Sequence, residues 1–493
     1  MFDMLKKVIA FSMVLVLLVG LTACGQNNEE DIEKEVVIPT ATITWWSLPV
    51  FAKQKGETES FEQRLISAFT EKYPEITVEH KALSEDTYKN DLQTAAKNGT
   101  LPDVYFGFPD DIAQLAIDEK MVDLTDIIFR APTEEVEDDG ESTSAESSES
   151  SESSSDVDSD VFVELVSNIP ENILMAGTVD GGKTYTFHPI SASAFVMAFN
   201  KEIVEKAGAL DLLPMDGDRS WTVEQYKELL TKLKDGLAEE TNIDTGALYY
   251  GSTTGVRGTK NLIASAGGVM FEKDGELTIN SAEGVEGMNK IKEILDENLL
   301  INGVTMQSST NLEAFLQGNL AHTILYSMDT ELNYKSQKKD DFTTVFMPYP
   351  SPDGSSLLDY TLMGAGVFKN DDEDKVTAAK LFVDFMANDP GYRGSVAGHT
   401  GGYSVNRDYN SFLEDEYKYF SESLDLHAPY TIDSYQTDSA ALEWIECLYQ
   451  VMFNDAEDSS EQLENFVESV ENGGSDTEQS TTEADETSET SAE

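Results

Sequence analysis

Strand and helix signals alternate along residues 41–107, and this alternation constrains the fold more than any other feature of the sequence. Residues 41–46 are β-branched and aromatic, as is typical of a strand. A helical spacing of apolar residues follows and ends at Pro74. Two further strands, at residues 76–79 and 103–106, enclose a second helix. This order predicts a parallel sheet with helices on its faces.

The ends of these strands indicate where a ligand would bind. In parallel sheets, ligands lie beyond the carboxyl ends of the strands. Trp46 and Ser47 end the first strand, and Gly107, Phe108 and Asp110 follow the third. We therefore expect these residues to face a binding crevice.

The same pattern continues through the rest of the chain. Thr222 and Gln225 have the spacing of a capping box at the start of a helix. Apolar residues also recur at helical spacing along residues 285–295 and 376–386. The sequence thus predicts an α/β protein with more than one lobe.

The amino terminus has the features of an export signal. Two lysines, Lys6 and Lys7, precede an apolar run over residues 8–21, which is short for a membrane-spanning helix. The run ends in residues 21–25, Leu-Thr-Ala-Cys-Gly, which resemble the lipobox of bacterial lipoproteins. That resemblance implies cleavage after residue 23, acylation of Cys24 and a tether over residues 24–40; the alternative is an ordinary secretory signal with a chance cysteine.

The charge of the chain excludes some classes of partner. With 33 basic and 93 acidic residues, the net charge is −60, which argues against nucleic-acid binding and against attachment to anionic lipid headgroups. Residues 133–160 contain twelve acidic residues, ten serines and no basic residue. Residues 472–493 contain seven acidic residues and no basic one. Such segments bury too little apolar surface to fold, so we predict a disordered insert and a disordered tail.

Patterns typical of enzymes are missing from the sequence. Apart from Cys24 there is one cysteine, Cys447, whose helix-like surroundings indicate a buried, unreactive thiol. The five histidines form no metalloprotease or catalytic-triad pattern, and there is no phosphate-binding loop. Among 93 acidic residues, a carboxylate pair at glycosidase spacing arises by chance. We therefore expect no catalysis, no metal site and no cofactor.

Several short motifs together resemble one known family. They are TITWW, EKYPEITVEH, AAKNGTLPDVYFG, residues 185–189 (YTFHP), 199–201 (FNK), 219–222 (RSWT), 313–318 (EAFLQG) and 399–405 (HTGGYSV). In this order, over about residues 41–455, they are similar to the extracellular solute-binding proteins of family 1, the sugar-binding class. The Ser/Glu insert and the acidic tail depart from that pattern.

The resemblance implies a two-lobed fold like that of periplasmic binding proteins, with the solute bound between the lobes. Crossings near His188-Pro189 and Gly364-Ala365-Gly366 would place residues 41–189 and 365–407 in the first lobe and residues 190–364 and 408–471 in the second. Lobe closure around a carbohydrate, an oligosaccharide above all, would then allow docking on the permease subunits of an ABC importer. We expect a monomer, lipid-anchored at the extracellular face of the cytoplasmic membrane.

Sugars bind through aromatic stacking and hydrogen bonds to their hydroxyl groups. The candidate ligand-binding residues are Trp46, Phe108, Trp221, Tyr326 and Tyr403 for stacking, and Ser47, Asp110, Asp111, Arg257, Asp329 and Asn406 as polar groups. Trp45 and Trp46 alternate across one strand, so one of the two faces the core. Core packing is an equal alternative for Trp221 and Tyr326, and Arg257 also fits a surface loop.

Two other functions remain open from the sequence. The same fold could bind a polyamine, an amino-acid derivative or a peptide, since the acidic charge attracts cations. The chain could instead be a surface adhesion or interaction protein that uses the insert at residues 133–160.

Overall fold

The computed structural model describes residues 38–51, 59–84, 86–129, 167–179, 184–253, 255–273, 276–409, 417–430, 440–454 and 458–472. The predicted signal peptide, Cys24, most of the tether, the acidic insert and the tail beyond residue 472 lie outside these ranges. Within them, no helix combines the length and the apolar character needed to span a bilayer.

The strands and helices of the described residues have the following bounds. The strands are β1 (Ala41–Ser47), β2 (Ile76–Ala82), β3 (Val104–Gly107), β4 (Thr178–Val179), β5 (Thr184–Tyr185), β6 (Phe187–Ala194), β7 (Val196–Asn200), β8 (Ala247–Tyr249), β9 (Glu272–Lys273), β10 (Glu276–Leu277), β11 (Ile301–Gly303), β12 (His322–Tyr326), β13 (Thr344–Met347), β14 (Tyr360–Val367) and β15 (Tyr403–Ser404). The helices are α1 (Phe61–Lys72), α2 (Tyr88–Asn98), α3 (Ala113–Ile117), α4 (Thr125–Ile128), α5 (Glu171–Leu174), α6 (Lys201–Lys206), α7 (Val223–Gly236), α8 (Val256–Gly267), α9 (Ala282–Asp296), α10 (Ser308–Leu316), α11 (Met328–Tyr334), α12 (Glu373–Asn388), α13 (Arg393–His399), α14 (Lys418–Glu422), α15 (Ala441–Leu448) and α16 (Ser459–Glu471).

A six-stranded sheet, the first sheet, has the order β15-β6-β14-β3-β1-β2. As predicted from the opening of the chain, β1 runs parallel to β2 and to β3. The strands β14, β6 and β15 make up the other half of this sheet. The prediction of a parallel sheet is wrong there, because β14 runs antiparallel to β3 and to β6. The first sheet is therefore mixed, since strands from later in the chain join it in the opposite direction.

The alternation of side chains in β1 decides which tryptophan is in the core. Trp45 is fully buried, and its ring centroid lies 5.2 Å from that of Phe382 in α12. Trp46 points to the opposite face and is partly exposed. Helix α1 covers the sheet with Phe61, Leu65 and Phe69, which share one face because they lie four residues apart.

The second lobe is built on a smaller sheet. Strands β12, β7 and β13 form an antiparallel sheet, the second sheet, and β8 pairs in parallel with β11. Helices α7 to α9 and the carboxyl-terminal helices α15 and α16 supply buried side chains to one core cluster that includes this sheet. The predicted capping box is confirmed, because the Thr222 side chain accepts from the Gln225 backbone and the Gln225 side chain accepts from the Thr222 backbone.

Cys447 lies in the same core cluster. It is 4% exposed, and burial raises the pKa of its thiol to about 12. At neutral pH the sulfur is thus a protonated, shielded thiol, in agreement with the core role expected from the sequence.

The chain crosses between the two sheets at positions other than the predicted ones. The single residue Phe195 separates β6 in the first sheet from β7 in the second. The second crossing lies between β13 and β14, over residues 348–359. The predicted hinge residues therefore lie inside strands: His188 and Pro189 in β6, and Gly364 and Gly366 in β14.

The glycines of β14 have a packing role. A Cβ atom on Gly364 would overlap the carbonyl oxygen of His188 in the neighbouring strand. A Cβ on Gly366 would lie 2.5 Å from Cε of Met121 and 2.9 Å from Cδ1 of Ile112. Close approach of neighbouring groups, and not hinge bending, explains these two glycines. The remaining lobe boundaries stay predictions.

Candidate functional site

Two sheet edges meet where the chain crosses between the lobes. The carboxyl ends of β1, β3 and β6 and the start of β14 form one edge, because β14 runs antiparallel to β3 and β6. The start of β7 and the ends of β12 and β13 form the edge of the second sheet. Groups on these two edges lie on either side of the crossings, which is where a two-lobed α/β protein offers a binding crevice.

The end of β1 supplies one accessible aromatic ring. Trp46 is partly exposed, and the Lys81 Nζ atom lies 4.0 Å from its ring centroid. The next residue, Ser47, is fully buried, and its hydroxyl forms a 2.9 Å hydrogen bond with His80 Nε2. The expectation that Ser47 contacts a solute is therefore corrected, because its side chain is enclosed and already paired.

The end of β3 holds a buried carboxylate. Asp111 Oδ2 accepts a 2.6 Å hydrogen bond from the Tyr105 hydroxyl and a 3.3 Å bond from the Phe108 backbone N–H. Its other oxygen, Oδ1, lies 3.8 Å from Lys89 Nζ. Burial raises the pKa of Asp111, while the bonds from Tyr105 and the charge of Lys89 oppose that rise. These contacts fix the carboxylate in one orientation beside the partly exposed ring of Phe108.

A cavity of about 460 Å³ opens next to this carboxylate. Both basic and acidic side chains line this cavity: Lys89, Lys97, Lys120, Asp110, Asp111 and Asp118. Asp110 is the more accessible of the two predicted aspartates, with 31% of its side chain exposed. A polar ligand with several hydroxyl groups would find both donors and acceptors here.

On the opposite edge, Asp329 follows β12 in the first turn of α11. It accepts a 3.0 Å hydrogen bond from Asn333, and burial raises the pKa of its carboxyl group. A Cβ added to Gly401, which precedes β15 of the first sheet, would lie 3.1 Å from Asp329 Cγ. The two lobes therefore touch at this point.

Asp359 stands at the second crossing, directly before β14. Its Oδ2 accepts hydrogen bonds from Arg257 Nε at 2.7 Å and from Asn261 Nδ2 at 2.9 Å. Its Oδ1 accepts from Arg257 Nη2 at 3.0 Å and from the Tyr430 hydroxyl at 2.9 Å. Although burial favours the neutral carboxyl group, the charges of Arg257 and Lys260 and these donors hold the pKa of Asp359 below its usual value.

Another cavity, of about 420 Å³, extends from Asp359 along α8. Its lining includes Asn261, Ser265, Phe271, Tyr349 and Tyr430. None of the accessible residues on the β1 and β3 edge lines it, so this cavity is separate from the one beside Asp111.

Three predicted stacking residues are core residues instead. Trp221, Tyr326 and Tyr403 are each 1% exposed. Their polar atoms bond within the protein: Trp221 Nε1 donates to the Pro348 carbonyl, the Tyr326 hydroxyl donates to Glu331, and the Tyr403 hydroxyl pairs with His427 Nε2. Their rings present no free face to a solute, so these expectations are corrected.

The last predicted polar contact is also a packing residue. Asn406 is 8% exposed, and its Oδ1 accepts from the Asp408 backbone N–H at 3.0 Å, as in an Asx turn. The sequence analysis, in turn, missed Lys89, Asp359 and Tyr430. Only the structure brings them to these positions, since Tyr430 and Asp359 are 71 residues apart and no local motif joins them.

Comparison with known proteins gives one family. Residues 64–418 match the sequence model of a family described as bacterial extracellular solute-binding protein. No protein with curated function matches the chain at a significant level.

Several solved structures are similar over most of the chain. The cyclic alpha-maltosyl-1,6-maltose binding protein of Arthrobacter globiformis has 17% identity and a TM-score of 0.63, with 87% of this chain and 98% of that chain covered. A substrate-binding protein of an ABC transporter from Listeria monocytogenes, in complex with cycloalternan, has 18% identity and a TM-score of 0.56, over 87% and 98%. The sugar-binding protein MalE of Xanthomonas citri has 12% identity and a TM-score of 0.65, over 88% and 97%. At these identities the likeness establishes the fold, which is the two-lobed α/β fold of periplasmic binding proteins.

Proposed function

Because the chain belongs to the bacterial extracellular solute-binding proteins, we propose that it binds an oligosaccharide between its lobes and delivers it to the permease of an ABC importer. The observation that carries this proposal is the presence of partly exposed aromatic rings and an accessible carboxylate at one sheet edge. Trp46 and Phe108 are partly exposed there, and Asp110, with 31% of its side chain exposed, lines the cavity next to the enclosed carboxylate of Asp111. Apolar sugar faces stack on aromatic rings, and carboxylates accept from sugar hydroxyl groups.

The fold supplies the transport step without a chemical reaction. A solute that contacts both lobes stabilises the arrangement in which they touch, and Asp329 stands at such a contact. Similar structures are described as binding cyclic maltosyl-maltose and cycloalternan, which supports a sugar as the solute class. We assign no catalytic step to this chain, because the family it belongs to consists of binding proteins.

Calorimetry with the full-length chain carrying Cys24→Ser tests the solute class. The titrants are maltose, acarbose, cyclic alpha-maltosyl-1,6-maltose, cycloalternan, spermidine and a short peptide mixture. We expect binding of at least one sugar, loss of that binding in Trp46→Ala, and its retention in Phe453→Ala. Phe453 is the control because it is an aromatic residue that is 53% exposed and belongs to no strand of the first sheet. Binding of spermidine or peptide alone would reject the sugar, and a folded sample that binds nothing would favour the adhesion alternative.

We also propose that Cys24 carries the lipid anchor, because residues 21–25 have the lipobox pattern. Two or more acyl chains hold a protein on a membrane stably, whereas one chain gives marginal binding. Labelled palmitate fed to a bacterial host should be incorporated into the wild-type chain and not into Cys24→Ser. Equal labelling of both chains would place the modification elsewhere, and no labelling of either would leave an ordinary secretory signal.

A further inference from the structure

We propose that Arg257 is a positioning residue that holds the two lobes in their touching arrangement and thereby raises solute affinity without contacting the solute. The effect of Arg257 on solute affinity rests on the proposed function. The effect of Arg257 on the lobe arrangement does not depend on any solute, so the two effects can be measured separately.

The guanidinium group of Arg257 is directed at the second crossing. Arg257 belongs to α8 of the second lobe. Its Nε and Nη2 atoms donate hydrogen bonds of 2.7 Å and 3.0 Å to the two carboxylate oxygens of Asp359. Asp359 is joined directly to β14, a strand of the first sheet. The fork geometry of arginine matches both carboxylate oxygens, which a lysine ammonium cannot do.

The same group also contacts the first crossing. Arg257 Cζ lies 4.2 Å from the ring centroid of Phe195, the single residue between β6 and β7. The Phe195 backbone N–H in turn donates to the Asp359 carbonyl oxygen at 2.8 Å. The Arg257 side chain therefore contacts both the segment between β6 and β7 and the segment before β14.

A third segment converges on the same carboxylate. The Tyr430 hydroxyl donates to Asp359 Oδ1. Tyr430 precedes α15 in the chain, and α15 belongs to the core cluster that includes the second sheet. Residue 428 in this stretch donates its backbone N–H to the Leu358 carbonyl at 2.9 Å. With Asn261 as a further donor, each oxygen of Asp359 accepts two hydrogen bonds.

This geometry accounts for Arg257 better than a ligand contact does. Its side chain is 17% exposed, and that of Asp359 is 7% exposed, so the pair is largely removed from water. The structure shows the pair formed while Asp329 and Gly401 are in contact across the lobes. Groups that interact in one lobe arrangement and must rearrange in another bias the equilibrium toward the first. The apparent affinity for a solute then falls with the fraction of molecules in the competent arrangement.

The test compares Arg257→Lys with a matched control, Arg407→Lys, in the full-length chain with Cys24→Ser. Arg407 also forms a bidentate pair with an aspartate, Asp425, but the side chains of both partners are at least half exposed, so this pair gains little from burial. Small-angle X-ray scattering without any sugar measures the radius of gyration. Calorimetry with the sugar that the wild type binds measures affinity.

We expect Arg257→Lys to raise the radius of gyration and to weaken sugar binding about tenfold, which corresponds to a tenfold drop in the competent fraction. Arg407→Lys should change neither value. Added sugar should return the radius of gyration of Arg257→Lys to that of the wild type. Because sugar binding would also refold a merely unstable variant, circular dichroism without sugar is the control, and the spectrum of Arg257→Lys should equal that of the wild type.

An unchanged radius of gyration would overturn the proposal, and weaker binding in that case would show that Arg257 contacts the sugar directly. If Arg257→Lys fails to fold, Asn261→Ala serves instead, because it removes one donor from the same carboxylate. It should raise the radius of gyration and weaken sugar binding, each by less than Arg257→Lys would. A raised radius of gyration in a protein that binds no sugar at all would support the positioning role and reject the proposed function.

Discussion

The Tyr105 hydroxyl donates a 2.6 Å hydrogen bond to Asp111 Oδ2, just beyond the end of β3. This bond links the core of the first sheet to the end of β3, because Tyr105 is fully buried and Asp111 is enclosed directly beside the cavity that Asp110 lines. Removal of the hydroxyl in Tyr105→Phe leaves the carboxylate with one donor fewer in a buried site. We expect a loss of about 1–3 kcal/mol in the free energy of unfolding and weaker sugar binding. Urea denaturation and calorimetry measure the two effects, and an unchanged affinity would separate Asp111 from the solute site.

Gly107 should tolerate no side chain. A Cβ at this position would overlap the Tyr105 hydroxyl and lie 2.5 Å from Cζ of the same ring. Gly107→Ala must displace the phenol and is expected to cost about 1–3 kcal/mol of stability through overpacking. Gly398→Ala is the control, since it adds a Cβ to a helix position with no neighbour within 4 Å and should be neutral or stabilising. Equal midpoints of urea denaturation for the two variants would contradict this account.

Loss of Trp45 should lower the stability of the fold, whereas loss of Trp46 should lower sugar affinity. Trp45→Ala removes a fully buried indole from contact with Phe51 and Phe382, so about 3–5 kcal/mol of stability should be lost. Trp46→Ala removes a partly exposed ring and should leave the free energy of unfolding within about 1 kcal/mol of the wild type. Sugar affinity should fall in the second variant. A large stability loss in Trp46→Ala would show that this ring also supports the core.

Two buried histidines should make the protein sensitive to acid. Burial lowers the pKa of His322 and of His427 from 6.5 to about 4. As the pH falls below 6.5, the unfolded chain binds protons that the folded chain does not, so stability decreases, and the loss is complete below pH 4. From these values each histidine costs about 2 kcal/mol at pH 5 relative to pH 7.

The variant His322→Gln, His427→Gln removes both groups and should flatten this dependence. The measurement is the free energy of unfolding in urea at pH 7 and pH 5, compared between the wild type and the double variant. Since both chains share the carboxylates, the difference between them isolates the histidines. Parallel losses in the two chains would show that the histidines are protonated in the folded state.

Much of the local structure could be predicted from the sequence. The capping box at Thr222, the helix over residues 373–388 and the strands of the first three β units depend on residues within a few positions of one another. Apolar spacing also placed Cys447 in a core. Ordered motifs over most of the chain indicated the family, which the match over residues 64–418 confirmed.

The tertiary structure decided which groups are accessible at the site. Alternation in β1 required one buried tryptophan, but the packing of Phe382 from α12 determined that it is Trp45. The sequence made Tyr326 and Tyr403 candidate stacking residues, yet the fold buries both rings. The crossings lie at Phe195 and before Tyr360, and not where the family resemblance implied, because strand pairing sets where a sheet ends.

By itself the sequence therefore determined the α/β elements, the family and the kind of side chain available for binding, because these depend on local spacing and composition. The assembly of Arg257, Asp359 and Tyr430 was decided only by the fold, because Arg257 and Asp359 are 102 residues apart and meet across the crossing segments. The stability of that contact comes from burial and charge pairing, and both arise only when the two lobes are in place.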